Sequence, residues 1–206
     1  MDELRVGGAV IGSLPRFLGR GAALLAAGLV WIACGSEAPP APPAPPAPRA
    51  PVPPGFSVYR GEGFSFAHPR RWAASREPQQ NGDVLIEVAG PTGAGGFGPQ
   101  VANGYGPASA SFNEIVELHK TSSQAVHSDY RVLNESRSAI DGARDAWVIE
   151  AEYLLAQPGG PPTRIRTINL LVLTEGGTQM NFFVRSPLSD FEASQLQRVF
   201  ASFRLG

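Results

Sequence analysis

Hydrophobic and polar residues alternate in three long stretches near the end of the chain, at 146–155, 164–174 and 178–186. Alternation with a period of two is typical of strands that are buried on one side. Segments rich in Pro and Gly, at 158–162 and 175–177, separate the three stretches. Long strands joined by short turns predict an antiparallel meander.

Shorter alternating runs occur earlier in the chain, at 56–59 and 64–68, on either side of a Gly-Glu-Gly sequence at 61–63. This arrangement predicts a hairpin. Residues 83–89, which contain the apolar run Val84-Leu85-Ile86, predict a further strand. Residues 90–107, which begin with Gly-Pro and contain many glycines, are interpreted as a loop.

Two helices are predicted from Ser-x-x-Glu sequences, in which the serine and glutamate side chains satisfy free amides at a helix start. One begins at Ser111 and extends to about residue 123, and the other begins at Ser189 and extends to about residue 201. The inward stripe of the first helix is Phe112, Ile115, Val116 and His119. The inward residues of the second are Leu196, Val199 and Phe200, followed by Phe203. Strands, a helix, strands and a final helix predict an α+β fold.

The first 33 residues have the features of an export signal. Arg5, Arg16 and Arg20 precede an apolar run at 22–32. A helix that crosses a bilayer needs roughly 20 apolar residues, and this run is only about half as long. A cleaved signal peptide is therefore predicted for residues 1–33.

Cys34 directly follows this apolar run, and the sequence Ala33-Cys34-Gly35 resembles the lipobox of bacterial lipoproteins. The resemblance implies that a diacylglycerol is transferred to the Cys34 sulfur and that cleavage makes Cys34 the new N-terminus. Cys34 is the only cysteine of the chain, which excludes an intramolecular disulfide. Lipidation of Cys34 is therefore predicted, and an incidental thiol is the alternative.

Residues 34–54 form a predicted linker between the lipid and a globular domain at 55–206. Ten of the twenty prolines of the chain lie between residues 37 and 54. A tract of this composition adopts extended polyproline II, so about 18 residues would span roughly 55 Å. A stalk is the favoured interpretation, and a ligand for a proline-binding groove is the alternative.

The charge of the chain gives no reason to expect nucleic acid as a partner. Without residues 1–33 it has 14 basic and 16 acidic side chains, which is close to neutral. Glu150 and Glu152 lie two apart in a predicted strand and could suggest acid–base catalysis. A hairpin register that sets Glu152 against Arg164 and Glu150 against Arg166 instead predicts cross-strand ion pairs.

Other motifs that could carry chemistry fail on their context. Residues 93–98 match Gly-x-Gly-x-x-Gly after a predicted strand, but Pro99 follows where dinucleotide binding needs a helix N-terminus. The three histidines have no metal-ligand spacing. Four large aromatic residues are interpreted as core rather than as a ligand-stacking face: Tyr59, Trp72, Tyr105 and Trp147. No catalytic residue, cofactor or metal site is predicted.

Residues 63–69, Gly-Phe-Ser-Phe-Ala-His-Pro, followed by Trp72, resemble the opening of PsbP-like domains. The late meander and the terminal Ser202-Phe203 are also similar to that family. The family includes a photosystem II extrinsic protein, a Ran-binding nuclear protein and bacterial lipoproteins of the LpqN and DcrB type. The resemblance covers about residues 56–205 and implies a curved antiparallel sheet flanked by helices on both faces, an α/β/α sandwich. It also implies protein binding, because the family has no common catalytic set.

The expected function is that of a membrane-anchored, non-catalytic lipoprotein of the cell envelope whose domain binds a protein partner. The lipid would hold it on the outer side of the cytoplasmic membrane or on the outer membrane. The alternative is a carrier or sensor of a small hydrophobic ligand held between the sheet and the helices.

Overall fold

The computed structural model describes residues 52–79, 82–93, 96–157 and 160–206. The predicted signal at 1–33, the predicted lipidation site Cys34 and most of the linker at 34–54 lie outside these residues. The described strands are β1 (Phe56–Arg60), β2 (Phe64–Pro69), β3 (Ala73–Pro78), β4 (Val84–Ala89), β5 (Gln100–Pro107), β6 (Ser128–Arg137), β7 (Ala143–Gln157), β8 (Gly160–Thr174), β9 (Thr178–Pro187) and β10 (Arg204–Leu205). The described helices are α1 (Phe112–Val126) and α2 (Leu196–Ala201), and a 3-10 turn lies at Leu188–Asp190.

The described strands form two antiparallel sheets. A small sheet has the order β1-β2-β10, and a large sheet has the order β3-β4-β5-β9-β8-β7-β6. The predicted hairpin is confirmed as β1 and β2. The predicted meander is confirmed as β7, β8 and β9, which pair antiparallel in chain order.

The small sheet packs on one face of the large sheet, which we call the sandwich face. Phe64 and Phe66 of β2 are each 1% exposed. The ring of Phe66 lies 5.2 Å from that of Phe182 on β9, and the ring of Phe203, just after α2, lies 4.6 Å from Phe182. Because aromatic side chains bury more apolar surface than other residues, this cluster contributes much of the hydrophobic stabilisation of the fold.

The opposite face of the large sheet carries α1, and we call it the helix face. Phe112 and Val116 of α1 are buried against apolar residues of β7 and β8. These residues are Ile149, Ala151, Leu171 and Leu173. Since Ile149 and Ala151 alternate with residues that point to the sandwich face, β7 supplies side chains to both layers.

The two predicted capping boxes have different outcomes. The Ser111 amide donates to the Glu114 carboxylate at 2.9 Å and the Ser111 hydroxyl accepts from the Glu114 amide, so the first box is confirmed, and α1 is three residues longer than expected. The second box is wrong, because the Ser189 hydroxyl donates to Asp190 and α2 begins only later. Phe191 is fully buried in the sandwich core directly after the 3-10 turn. Burial of this ring therefore shapes the backbone where a regular helix was expected.

The predicted antiparallel sheet is confirmed, and the two helices place the described residues in the α+β class. The predicted layer of helices on each face of the sheet is not present in the described residues. α1 has 15 residues, and α2 has only six. The aromatic hairpin of β1 and β2 covers much of the sandwich face in place of a helical layer. No helix in the described part of the chain combines the length and the apolar character needed to cross a bilayer.

Candidate functional site

Part of the helix face is covered by no helix of the described residues. The cluster beneath α1 contains residues of β7 and β8 and none of β9, β5 or β4. Asn181 of β9 is paired with Leu171, which lies under α1, so Asn181 and every second residue of β9 point to the helix face. The open surface consists of the half-buried residues Asn181, Phe183 and Arg185 of β9, Gln100 and Gly104 of β5, and Leu85 and Glu87 of β4.

The two small residues of β5 on this face, Ala102 and Gly104, lie between larger side chains of β4 and β9, and we call this strip of the open surface the trough. Ala102 of β5 is paired with Phe183 on one side and with Glu87 on the other. A methyl group added at Gly104 would meet no atom within 4 Å, so the space above this residue is free. The side-chain oxygen of Asn181, next to Gly104, is buried and has no hydrogen-bond partner among the described residues. The free space of the trough therefore lies over Gly104, whereas Ala102 in the same strand is 2% exposed.

The flank of α1 that borders the open surface carries exposed apolar side chains. Lys120 forms an ion pair with Glu135 of β6 at 3.4 Å, so this flank of the helix faces β6. Ile115 and Leu118 lie on the other flank, which faces β9. Leu118 is 64% exposed, and Val126 at the end of the helix is 75% exposed. Burial of these two apolar side chains by a partner would be favourable, because it removes apolar surface from water.

Arg185 stands at one end of the open surface and is held on three sides. Its guanidinium carbon lies 5.4 Å from the ring centroid of Phe97 and 5.4 Å from that of Phe183. Its Nε donates to the side-chain oxygen of Gln100 at 2.8 Å. The amide nitrogen of Gln100 in turn reaches Glu87 at 3.5 Å. These contacts fix the plane of the guanidinium before any partner is present.

The alternation predicts the strand at 178–186, but no motif in the sequence marks Phe183 or Arg185 within it. The available signal was the alternation itself, because the side of β9 opposite its apolar residues carries Asn181, Phe183 and Arg185. An aromatic residue and an arginine on the polar side of a strand are the residue types enriched at protein interfaces.

The residues considered for acid–base chemistry are engaged in ion pairs, but the register differs from the predicted one. Glu152 is paired with Arg166 across the hairpin, and Leu154 rather than Glu152 faces Arg164. The shift follows from the pairing of Gln157 with Gly160 and from the register irregularity between Leu155 and Gln157. Glu150 still accepts from Arg166 at 2.8 Å, as predicted, whereas Glu152 binds Arg131 of β6 at 2.7 Å.

The glycine-rich segment is shorter than predicted, because residues 100–107 form β5 and only 90–99 connect the strands. The residue run that matches Gly-x-Gly-x-x-Gly is followed by a strand and not by a helix. No helix N-terminus therefore follows it that could bind a pyrophosphate.

The aromatic residues that were weighed as a stacking face lie in different layers. Tyr59 and Tyr105 pack in the sandwich core, where Tyr59 stacks on Phe66 at 5.3 Å. Trp72 packs against the same core, and Trp147 packs under α1. They form no common surface, and the interpretation as core is confirmed.

The three histidines do not form one group. His68 is buried on β2, while His119 and His127 belong to α1 and its end. Within the described residues no three His, Cys, Asp or Glu side chains are grouped so that they could hold a metal ion.

No family model and no curated protein matches this chain. Among solved structures, it is similar to the Ran-binding protein Mog1p of Saccharomyces cerevisiae, with a TM-score of 0.45 and 12% identity over 73% of this chain and 96% of that one. A protein of unknown function from Pseudomonas aeruginosa gives a TM-score of 0.46 and 11% identity over 71% and 92%. LpqN, involved in cell envelope biogenesis of Mycobacterium tuberculosis, gives 0.39 and 8% over 75% and 80%. Likenesses at this level assign neither a family nor a function.

Proposed function

We propose that this chain is a lipid-anchored, non-catalytic protein of the cell envelope whose folded domain binds another protein through the open surface. The observation that carries the proposal is the part of the helix face that α1 leaves uncovered. It offers free space over Gly104, exposed apolar side chains at Leu118 and Val126, and an immobilised arginine at its end. Aromatic and arginine side chains around an apolar centre are the usual composition of interface hot spots.

The anchor in this proposal is Cys34. It rests on the sequence pattern of an apolar run, a small residue and a single cysteine, followed by a proline-rich tract. A stalk of roughly 55 Å would let the domain meet partners well away from the lipid headgroups. The membrane would be the outer side of the cytoplasmic membrane or the outer membrane.

Position-specific photo-crosslinking tests the interaction in the intact chain. A photoreactive amino acid replaces Leu118 beside the open surface, and in a second variant it replaces Val58, an apolar residue on β1 that is 37% exposed. We expect one envelope protein to be crosslinked from position 118 and not from position 58. Equal products from both positions, or none from position 118, would show that the open surface is not the interface.

The anchor is tested independently by the substitution Cys34→Ser. The variant should lose its lipid, keep an unprocessed signal and leave the lipid-modified fraction, as followed by metabolic labelling with a radioactive fatty acid. A variant that remains labelled and processed like the parent chain would exclude Cys34 as the lipidation site. Neither result changes the expectation for crosslinking.

The alternative function, transport or sensing of a small apolar ligand, would use a depression of about 540 Å³ at the rim of the two sheets. Met180 and Leu205 line it, but Glu62 and Asp141 also stand at its wall. Carboxylates at the wall are unfavourable for an apolar ligand, because such a ligand cannot compensate their desolvation. A lipid that co-purifies with the chain and protects Met180 from oxidation would favour this alternative.

A further inference from the structure

Among the described residues Arg185 has no carboxylate partner, whereas six of the eleven other arginines have one. Six arginines of the described residues form ion pairs with Asp or Glu: Arg76, Arg131, Arg137, Arg144, Arg164 and Arg166. Arg185 instead contacts two aromatic rings and the neutral side chain of Gln100. Glu87 is the carboxylate nearest to it in this network, and it binds Gln100 rather than the guanidinium.

The contacts of Arg185 leave its terminal nitrogens available. Nε is used by Gln100, and the two rings lie against the guanidinium carbon. The Nη atoms make no hydrogen bond to any described residue. An arginine held in one plane loses little conformational entropy on binding, and its planar fork matches the two oxygens of a carboxylate.

We infer that Arg185 is the recognition point for a carboxylate on an extended segment of the partner protein. This inference rests on the proposed function and specifies the chemistry of the segment that lies in the trough. The carboxylate would be bound by the Nη atoms, and apolar side chains of the segment would contact Phe183 and Leu118.

The position of Phe183 defines the segment further. Phe183 and Arg185 are two residues apart on the same side of β9, which corresponds to about 7 Å along a strand. An extended segment therefore needs an apolar side chain about two residues from its carboxylate. The segment is thus a peptide with one acidic residue or a free C-terminus next to apolar residues.

A purely structural role for Arg185 is the competing explanation, since its stack with Phe97 also holds the segment at 90–99. Both explanations predict some loss of stability when Arg185 is replaced. Only carboxylate recognition predicts that ligands with and without a carboxylate are distinguished.

The test uses the full chain as bait for a displayed library of random ten-residue peptides. The best binders are then synthesised in matched pairs, in which Glu or Asp is replaced by Gln or Asn, or the C-terminal carboxylate by an amide. We expect the acidic member to bind the parent chain at least tenfold more tightly by fluorescence polarisation. With the variant Arg185→Gln the two members should bind equally, and with Arg185→Lys the preference should be reduced.

Arg198→Gln is the matched control, because Arg198 is exposed on α2 and is likewise held by a glutamine, Gln195 at 3.4 Å. It should keep the full preference for the carboxylate. A library that yields no carboxylate-dependent binder, or a preference that persists in Arg185→Gln, would overturn the inference. If position 118 crosslinks a partner but peptide binding does not depend on a carboxylate, this inference is wrong and the proposed function is unaffected.

Discussion

The imidazole ring of His127 stacks on the ring of Tyr153, with centroids 4.0 Å apart and an interplanar angle of 17°. His127 follows the last residue of α1 and Tyr153 is buried in β7, so this stack fixes the end of the helix on the sheet. Burial lowers the pKa of His127, and the nearby charge of Arg185 lowers it further. Burial also lowers the pKa of His119 on the same helix, with a smaller effect of His127, and the Nε2 of His119 has no partner among the described residues.

Stability should therefore fall when the solution becomes mildly acidic. A histidine with a lowered pKa in the folded state binds a proton more readily in the unfolded chain. Its contribution is fully present above its ordinary pKa of 6.5 and is lost as the pH falls through the lower folded-state value. Urea unfolding of the parent chain between about pH 7.5 and about pH 5 should show this loss, above the range in which carboxylates titrate. The double variant His119→Leu with His127→Phe should give a flatter profile, and an unchanged slope would contradict the assignment.

The capping box of α1 should be worth about 1 kcal/mol. Replacement of Ser111 by Ala removes the hydroxyl that accepts from the Glu114 amide, and a lost N-cap typically costs 0.5 to 2 kcal/mol, or about 1 kcal/mol. Chemical denaturation of Ser111→Ala checks the value. Ser189→Ala is the control, because Ser189 occupies the same sequence pattern but bonds only to Asp190 and should have little effect. Equal losses of stability in the two variants would show that the hydrogen bonds of the capping box are not the source of the effect.

Asn103 is predicted to reduce the stability of the fold. It is fully buried on β5, and neither of its amide atoms has a hydrogen-bond partner among the described residues. Because an unpartnered buried amide costs about 1 to 3 kcal/mol, Asn103→Val should raise the free energy of unfolding by about 1 kcal/mol. Asn169 is buried as well, but it donates to Thr167 at 3.3 Å, so Asn169→Val should destabilise the protein. Thermal unfolding of both variants distinguishes these outcomes, and a loss in Asn103→Val would point to a partner that the described residues do not provide.

Phe191 should contribute strongly to the core although it lies outside any regular helix. It is fully buried, and the guanidinium of Arg166 lies over its ring at 5.4 Å. Replacement by Ala should cost about 3 to 5 kcal/mol, as for other large buried aromatic residues. Leu188→Ala in the same turn removes a side chain that is 37% exposed and should cost much less. Similar unfolding midpoints for the two variants would show that the turn can rearrange to fill the space.

The strands that the sequence predicts well are those with one buried side. β9 alternates between buried residues such as Phe182 and Val184 and half-buried residues such as Phe183, and the sequence shows the same period. The two sides of the strand lie in different environments, and the residue types alternate accordingly. This alternation is sufficient to locate the strand in the sequence. The confirmed hairpin of β1 and β2 follows the same principle, with Phe64 and Phe66 on its buried side.

Two of the strands that the sequence does not predict, β3 and β6, are the edges of the large sheet, whereas the central strand β5 lies in the segment interpreted as a loop. Every residue of β3 is exposed, and β6 is exposed at nine of its ten positions, with only Tyr130 half-buried. A strand without a buried side has no hydrophobic period to detect, and its place is set by the neighbour with which it pairs. Irregular pairing at Leu133 interrupts the alternation of β6 further.

The open surface could not be located from the sequence, because it depends on where α1 crosses the sheet. The apolar stripe of α1 predicts that Phe112 and Val116 are buried, and this is confirmed. The stripe does not specify that the strands beneath it are β7 and β8 rather than β9 and β5. Contacts between residues distant in sequence determine which strands α1 covers. The periodicity along the chain carries no information about these contacts.

The first strand of the domain has a mechanical consequence. β1 is an edge strand of the small sheet, and it pairs only with β2 within that sheet. If Cys34 is fixed in a membrane, tension along the stalk enters the domain through β1. The pairing of β1 with β2 would carry this load first, whereas β9, with Phe183 and Arg185, belongs to the other sheet. A partner held at the open surface could thus stay bound while the hairpin next to the tether yields under force.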